Sequence, residues 1–248
     1  MGNYRHGIYT REVPTSLISM TEATAALPVY VGTAPVHLAT DPAEANKAVL
    51  CHDYASATTQ FGYSKEWDKY TLCEAMYSQF SLFGMAPVVF INVLDPKKHK
   101  KTLTSTQKQI QDKVVTIEDP VLLKTLKVSA TNGGNALTIN VDYTAVFNDE
   151  GKLLIGIVST GALNSATSVW VTYDYVDPSM VTADDIVGGV DTEGKRKGLE
   201  LINEVFPRFG LIPGNLLAPG WSHNTLVAAV MKAKETTING MFQAMSLC

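Results

Sequence analysis

The chain has 248 residues, 46% of them hydrophobic and 18% charged, which is enough apolar material for a sizeable core and excludes global disorder. Twenty Lys and Arg stand against 24 Asp and Glu, a net charge of −4, so the chain lacks the basic excess of a dedicated nucleic-acid binder. Three cysteines, Cys51, Cys73 and Cys248, form no CxxC pair and read as free thiols in a reducing compartment. The first residues have no apolar signal region, and no run approaches 18 apolar residues, so no membrane partner is expected.

Residues 1–20 read as an extended arm. Ile8, Tyr9 and Val13 are strand formers, polar residues separate them, and Pro14 breaks the run. Such a segment is either a loosely tethered terminus or a strand offered to the sheet edge of another subunit. Leu27–Pro35 (LPVYVGTAP) is short and apolar on both faces, as a strand in the middle of a sheet would be. Asp41-Pro42 reads as the start of a short helix or loop, 43–50, and 53–64 as a polar loop. A helix is expected over 66–83, because Trp67, Tyr70, Cys73, Tyr77 and Phe80 recur at helical spacing and Gly84 is a natural stop. Pro87–Leu94 (PVVFINVL) follows as a second buried strand, completing a strand–helix–strand unit.

Lys97-Lys98-His99-Lys100-Lys101 reads as a solvated connector at a domain boundary. Beyond it the pattern switches to period two. Strands are expected at 114–117, 125–129, 137–143, 145–147, 153–157 and 168–175, with turns at Asn132-Gly133-Gly134 and Asn148–Gly151. Regular short strands of this kind build a small sandwich or barrel. Helical patterning returns after Asp177-Pro178. A helix is expected over 195–206, a short apolar run at 211–219, and a helix capped by Ser222 with Leu226, Ala229, Val230 and Ala233 inward. A last strand begins at Phe242 and runs to Cys248. An apolar strand at that position suggests the first part of a longer protein. The fold class is therefore α/β (α+β): a mixed-sheet core with flanking helices, residues 21–100 and 179–248, interrupted by an inserted all-β domain at 101–178.

Chemistry is sparse in this sequence. Gly189–Lys195 fits the phosphate-loop spacing G-x-x-x-x-G-K, but Arg196 stands where Ser or Thr would hold magnesium. Asp191 and Glu193 would also repel a phosphate, and the alternative is a turn entering a helix. His6, His37, His52, His99 and His223 fall in no zinc spacing, and no G-x-S-x-G elbow occurs. No catalytic, cofactor-binding or metal-ligating residue is nominated and no cofactor is expected.

Three blocks carry a family likeness: GIYTREVPTS with ATAALPVYVGTAP, the stretch from Phe61 to Pro96, and the stretch from Val171 to Ser222. Taken in order, they resemble contractile phage tail sheath proteins, in particular those of phages and prophages of Gram-positive bacteria. The resemblance implies a structural protein of the virion tail, assembled in the host cytoplasm. Subunits of that family stack as six-fold rings around a tail tube and contract to drive the tube through the host envelope. Neighbouring subunits, the tube, the baseplate and the tail terminator would be its partners. It also implies that an arm at roughly residues 4–16, with Tyr4, Ile8, Tyr9, Thr10 and Val13, adds a strand to an adjacent subunit. The inserted β domain would face the outside of the sleeve. The family core has been likened to a subtilisin fold, but no Ser, His and Asp set here supports proteolysis. Two other readings stay open: a nucleotide-dependent enzyme using the Gly189 loop, and a non-polymeric binding module built on the β domain.

Overall fold

The computed structural model describes residues 26–247. Its first half opens with β1 (Leu27–Gly32), β2 (Ala48–Cys51), α1 (Tyr54–Phe61), α2 (Thr71–Met76) and β3 (Val88–Asn92). Next come β4 (Lys100–Gln109), β5 (Val114–Ile117), β6 (Lys127–Ser129), β7 (Tyr143–Phe147), β8 (Leu153–Ile157) and β9 (Ser168–Val176). The last part holds α3 (Ala183–Val187), β10 (Gly189–Val190), β11 (Arg196–Lys197), α4 (Ile202–Phe209), β12 (Pro213–Leu217), α5 (Thr225–Thr236) and β13 (Met245–Leu247).

The main sheet has the order β13-β12-β1-β3-β2. Four of its strands run parallel and β2 is antiparallel to β3. β1 lies at the centre because both of its faces are apolar. Leu27, Val29 and Val31 join a cluster with Ile202, Val205, Val227 and Met231 from α4 and α5. Tyr30, on the opposite face, stacks on Phe90 at 5.6 Å and shares a second cluster with Phe61 of α1 and Leu72 and Met76 of α2. β3 alternates in the same way, with Val89 and Ile91 in the first cluster and Val88 and Phe90 in the second. Complete burial of one such side chain contributes about 1.5–3 kcal/mol, so these runs fix the sheet's centre.

Helix α2 reaches the carboxyl end of β1 because Gly32 has no side chain: a Cβ there would lie 2.4 Å from Thr71 Oγ1. The amide of Thr33 donates to Thr71 Oγ1 at 3.2 Å and the amide of Thr71 donates to Thr33 Oγ1 at 3.1 Å. Buried Asn92 closes the neighbouring strand end. Its Oδ1 accepts from the amides of Ala34 and Leu94, both at 3.0 Å, and its Nδ2 donates to the Leu94 carbonyl at 3.2 Å.

Residues 100–176 form two three-stranded antiparallel sheets, β4-β9-β6 and β5-β8-β7. Both contribute to one apolar cluster, with Val115, Ile117 and Ile155 from one sheet and Val128, Val169, Val171 and Tyr173 from the other. His37, from the turn after β1, meets Phe147 of β7 edge-on at 5.7 Å.

Several local expectations are corrected. Residues 41–47 are not helical, and β2 occupies Ala48–Cys51. The stretch read as a loop at 53–64 contains α1, capped by Asp53 and Ser56 in a reciprocal box, with the Ser56 amide donating to Asp53 at 2.6 Å. The helix expected over 66–83 is only Thr71–Met76 and then widens into a π-helical turn, Tyr77–Leu82. Of the expected stripe, Tyr70 and Cys73 are buried, Trp67 and Phe80 are partly buried against the two core clusters, and Tyr77 is exposed. Residues 137–142 are not a strand. Asp142 accepts from the amides of Thr138 and Ala162, both at 2.9 Å, and Asn140 takes a positive φ of 65°. That carboxylate turns the chain before β7 begins. Asn224, not Ser222, caps α5, accepting from the Leu226 amide at 3.0 Å. The inward face shifts with the cap to Val227 and Met231, leaving Leu226, Ala229 and Ala233 exposed.

Candidate assembly surface

The Gly189–Lys195 segment is a β-hairpin tip, with β10 pairing antiparallel to β11. Lys195 leads directly into strand β11 and not into an α-helix, so no helix N-terminus adjoins the loop. Asp191 Oδ1 already accepts from the amides of Glu193 at 3.0 Å and Lys195 at 2.9 Å, and Lys195 Nζ bonds Glu193 at 2.8 Å. The loop's own carboxylates occupy the positions a phosphate would need. The expected helix over 195–206 is instead β11, a 3₁₀ turn at Gly198–Leu201 and α4.

Other groups are equally committed. Burial pushes the Cys51 thiol up to about 12, helped by Asp53, and burial alone pushes Cys73 to about 12. Neither is a nucleophile at neutral pH. No described hydroxyl or thiol donates to a histidine, and no described group of three or more His, Cys, Asp or Glu could hold a metal ion. Among the described residues no helix is long and apolar enough to cross a membrane.

Two crevices exist. One of about 550 Å³ lies between the main-sheet layer and residues 100–176, lined by His37, Tyr70, Lys69, Lys101, Lys152 and Glu118. Each lysine there is already paired: Lys69 with Glu66 at 2.6 Å, Lys101 with Asp177 at 2.6 Å, and Lys152 with Glu118 at 3.0 Å. The other, of about 450 Å³, sits at the carboxyl ends of β1 and β12, where open parallel sheets often bind ligands. Its threonines Thr33 and Thr71 bond each other, and its Asn224 caps α5. The lysines of the first crevice are paired, and the second also carries the exposed carboxylate of Asp68.

The four lysines of the basic run are exposed, in keeping with a solvated segment, but three of them are ion-paired. Lys98 pairs with Asp185, Lys100 with Asp174 and Lys101 with Asp177. His99 is buried, accepts at Nδ1 from the Asp95 amide at 3.0 Å and faces Asp185 at 3.5 Å. Burial pushes the His99 pKa down while Asp185 pulls it up. β4 begins inside the run, and its cations answer the carboxylates of β9 and α3. Sequence alone missed these pairings because the carboxylates lie more than 70 residues away.

The main sheet also offers unpaired backbone. β13 and β2 are the outer strands of the main sheet, and no described strand pairs with their outer edges. β13 is held from α5: the Ser246 amide donates to Glu235 at 3.1 Å, and the Ala244 amide to the Glu235 carbonyl at 3.0 Å. Lys232 first, and Ser246 second, hold the Glu235 carboxyl at about 2, so it stays an acceptor at any ordinary pH. Met245 and Leu247 on β13 are exposed. Such an edge is a template for a further strand.

This chain is similar to a phage tail sheath protein. It is 27% identical over 237 residues to the tail sheath protein of Burkholderia phage BcepMu, a match covering 93% of this chain and 46% of that protein. The chain thus spans about half the length of the curated relative it matches. No protein-family model matches. The likeness supports tail sheath proteins in general and does not extend to the narrower Gram-positive type. The arm residues Tyr4, Ile8, Tyr9, Thr10 and Val13, singled out from the sheath resemblance, lie outside the described residues.

Proposed function

We propose that this chain is a non-enzymatic structural subunit of a contractile tail sheath. Copies polymerise as stacked hexameric rings around a tail tube, and the sleeve contracts to drive the tube into the host. Residues 1–20 form the linking arm, 21–100 and 179–248 the core, and 101–178 an inserted β domain on the outside of the sleeve. Neighbouring subunits, the tube protein, the baseplate and the tail terminator are its partners, in a virion tail assembled in the host cytoplasm. The observation that carries this reading is the likeness to a tail sheath protein along nearly the whole chain.

Physically, the arm from Tyr4 to Val13 adds a strand to a neighbour's open edge. About five interstrand hydrogen bonds at ~0.5–1.5 kcal/mol each stabilise one junction by roughly 3–7 kcal/mol. Each junction is modest, but a ring closes several of them together, which makes assembly cooperative. The test is removal of residues 1–16 from the protein in its full natural length. Negative-stain microscopy is expected to show tubes or rings lost while circular dichroism and melting stay unchanged. Normal tubes from the shortened protein would refute the arm assignment.

A further inference from the structure

Asparagine followed by glycine is a self-reactive pair. The glycine amide nitrogen can attack the side-chain carbonyl carbon of the asparagine, Cγ, because glycine has no Cβ to block the approach. The new C–N bond closes a succinimide ring, and the side-chain nitrogen leaves as ammonia. Water then opens the ring at either carbonyl, giving aspartate or its β-linked isomer, isoaspartate. No oxidant or cofactor takes part. The chain carries two such pairs, Asn132-Gly133 and Asn239-Gly240, and the fold treats them differently.

Both asparagines are exposed. Asn239 is held at its reacting groups. Its Nδ2, the nitrogen that must leave, donates to the Asn203 carbonyl at 2.9 Å, and its own amide donates to Asn203 Oδ1 at 3.1 Å. The turn around it is closed by Ile238 and Phe242, whose amides each donate to the other's carbonyl, at 2.8 and 3.0 Å. Ring closure there has to break or distort bonds of ~0.5–1.5 kcal/mol each.

Asn132 is placed the opposite way. Every residue from 130 to 136 is exposed. Nothing lies within 4 Å of a Cβ built on Gly133, and no described group accepts from its amide. The nucleophile is open, and Gly133-Gly134 lets the backbone turn into the ring geometry. At the other end of the reacting bond, the Ser105 hydroxyl donates to Asn132 Oδ1 at 2.5 Å. A bulge in β4 sets Ser105 there. The register with β9 shifts between Leu103 and Thr106, Ser105 takes a φ of 26°, and its amide donates to Thr172 Oγ1 at 2.9 Å. A donor fixed on Oδ1 polarises Cγ and stabilises the negative charge that gathers on that oxygen as the ring closes. The bond is made to the oxygen and not to the departing nitrogen.

We propose that Asn132 is a site of spontaneous conversion to aspartate and isoaspartate, assisted by the Ser105 hydroxyl, and that the fold protects Asn239. The product puts one more negative charge on the loop after β6 and, as isoaspartate, one more carbon into its backbone. The modification is independent of how copies assemble.

The test incubates the whole chain at mildly alkaline pH, folded in one sample and in urea in another, and follows both sites by peptide mapping and mass spectrometry. The measured quantity is the ratio of conversion at Asn132 to that at Asn239. It is expected to be several-fold higher in the folded chain than in urea, where only neighbouring residues set the rates. An equal or lower ratio in the folded chain would overturn the proposal. Ser105→Ala is expected to slow Asn132 several-fold in the folded chain and to leave its rate in urea unchanged. A folded variant that converts as fast as the parent, or faster, would overturn the part given to Ser105.

Discussion

Asn92 offers the sharpest energetic test of how the sheet's carboxyl end is closed. It is 1% exposed and makes three hydrogen bonds, to the amides of Ala34 and Leu94 and to the Leu94 carbonyl. Ala34 and Leu94 are fully buried, so water cannot replace the lost partner. Asn92→Leu keeps the volume roughly constant but leaves two amides and a carbonyl without partners. At about 1–3 kcal/mol per orphaned group, and with some relaxation, the expected loss is roughly 3–6 kcal/mol. Asn92→Ala leaves the same orphans and a small void, so it is expected to lose somewhat more. Against a total stability of about 5–15 kcal/mol for a typical domain, either change is large. Urea unfolding followed by circular dichroism measures it. If Asn92→Leu unfolds within ~1 kcal/mol of the parent, the argument that these bonds lock β1 to β3 is wrong.

Two further perturbations follow from local chemistry. Burial pushes His37 down to about 3, so the folded state holds it neutral while the unfolded chain protonates it near 6.5. Between those values the unfolded state binds the extra proton, so stability falls with falling pH by up to about 1.4 kcal/mol per unit. His37→Phe keeps the ring contact with Phe147 and removes the titration. Its stability is expected to fall less than the parent's between pH 6.5 and 5, and parallel pH–stability curves would refute the assignment. The glycines of the hairpin region give a contrast at similar φ. Gly188 has φ +67° and a Cβ there would lie 1.9 Å from the Lys197 carbonyl oxygen, whereas Gly194 has φ +82° and open space. Gly194→Ala is expected to cost about 1–2 kcal/mol from conformation alone. Gly188→Ala adds a backbone clash and is expected to cost about 3 kcal/mol or more by thermal unfolding. Equal effects of the two would remove the clash from the account.

Much of the sheet framework was legible in the residues. The buried strands announced themselves as apolar runs bounded by Gly or Pro, because a central strand is covered on both faces. β5 and β8 fall on their expected bounds, 114–117 and 153–157, since period-two alternation records which face meets a core. The failures share a different cause. Residues 137–143 have strand propensity, yet Asp142 binds amides at Thr138 and Ala162 and turns the chain. The lysines of the Lys97–Lys101 run are exposed as expected, but their pairing with Asp174, Asp177 and Asp185 was hidden until the fold brought those residues beside it.

What the sequence determined by itself is the alternation of apolar core runs and polar turns, and the lack of any spacing that supports metal or nucleophilic chemistry. These are local properties, written in neighbouring residues. Only the tertiary structure decided that the Gly189 loop is a hairpin filled by its own Asp191, and that Asn92 is a junction and not a blemish in an apolar strand. Those facts depend on partners far away along the chain, and the meeting of distant groups is settled by packing, not by propensity.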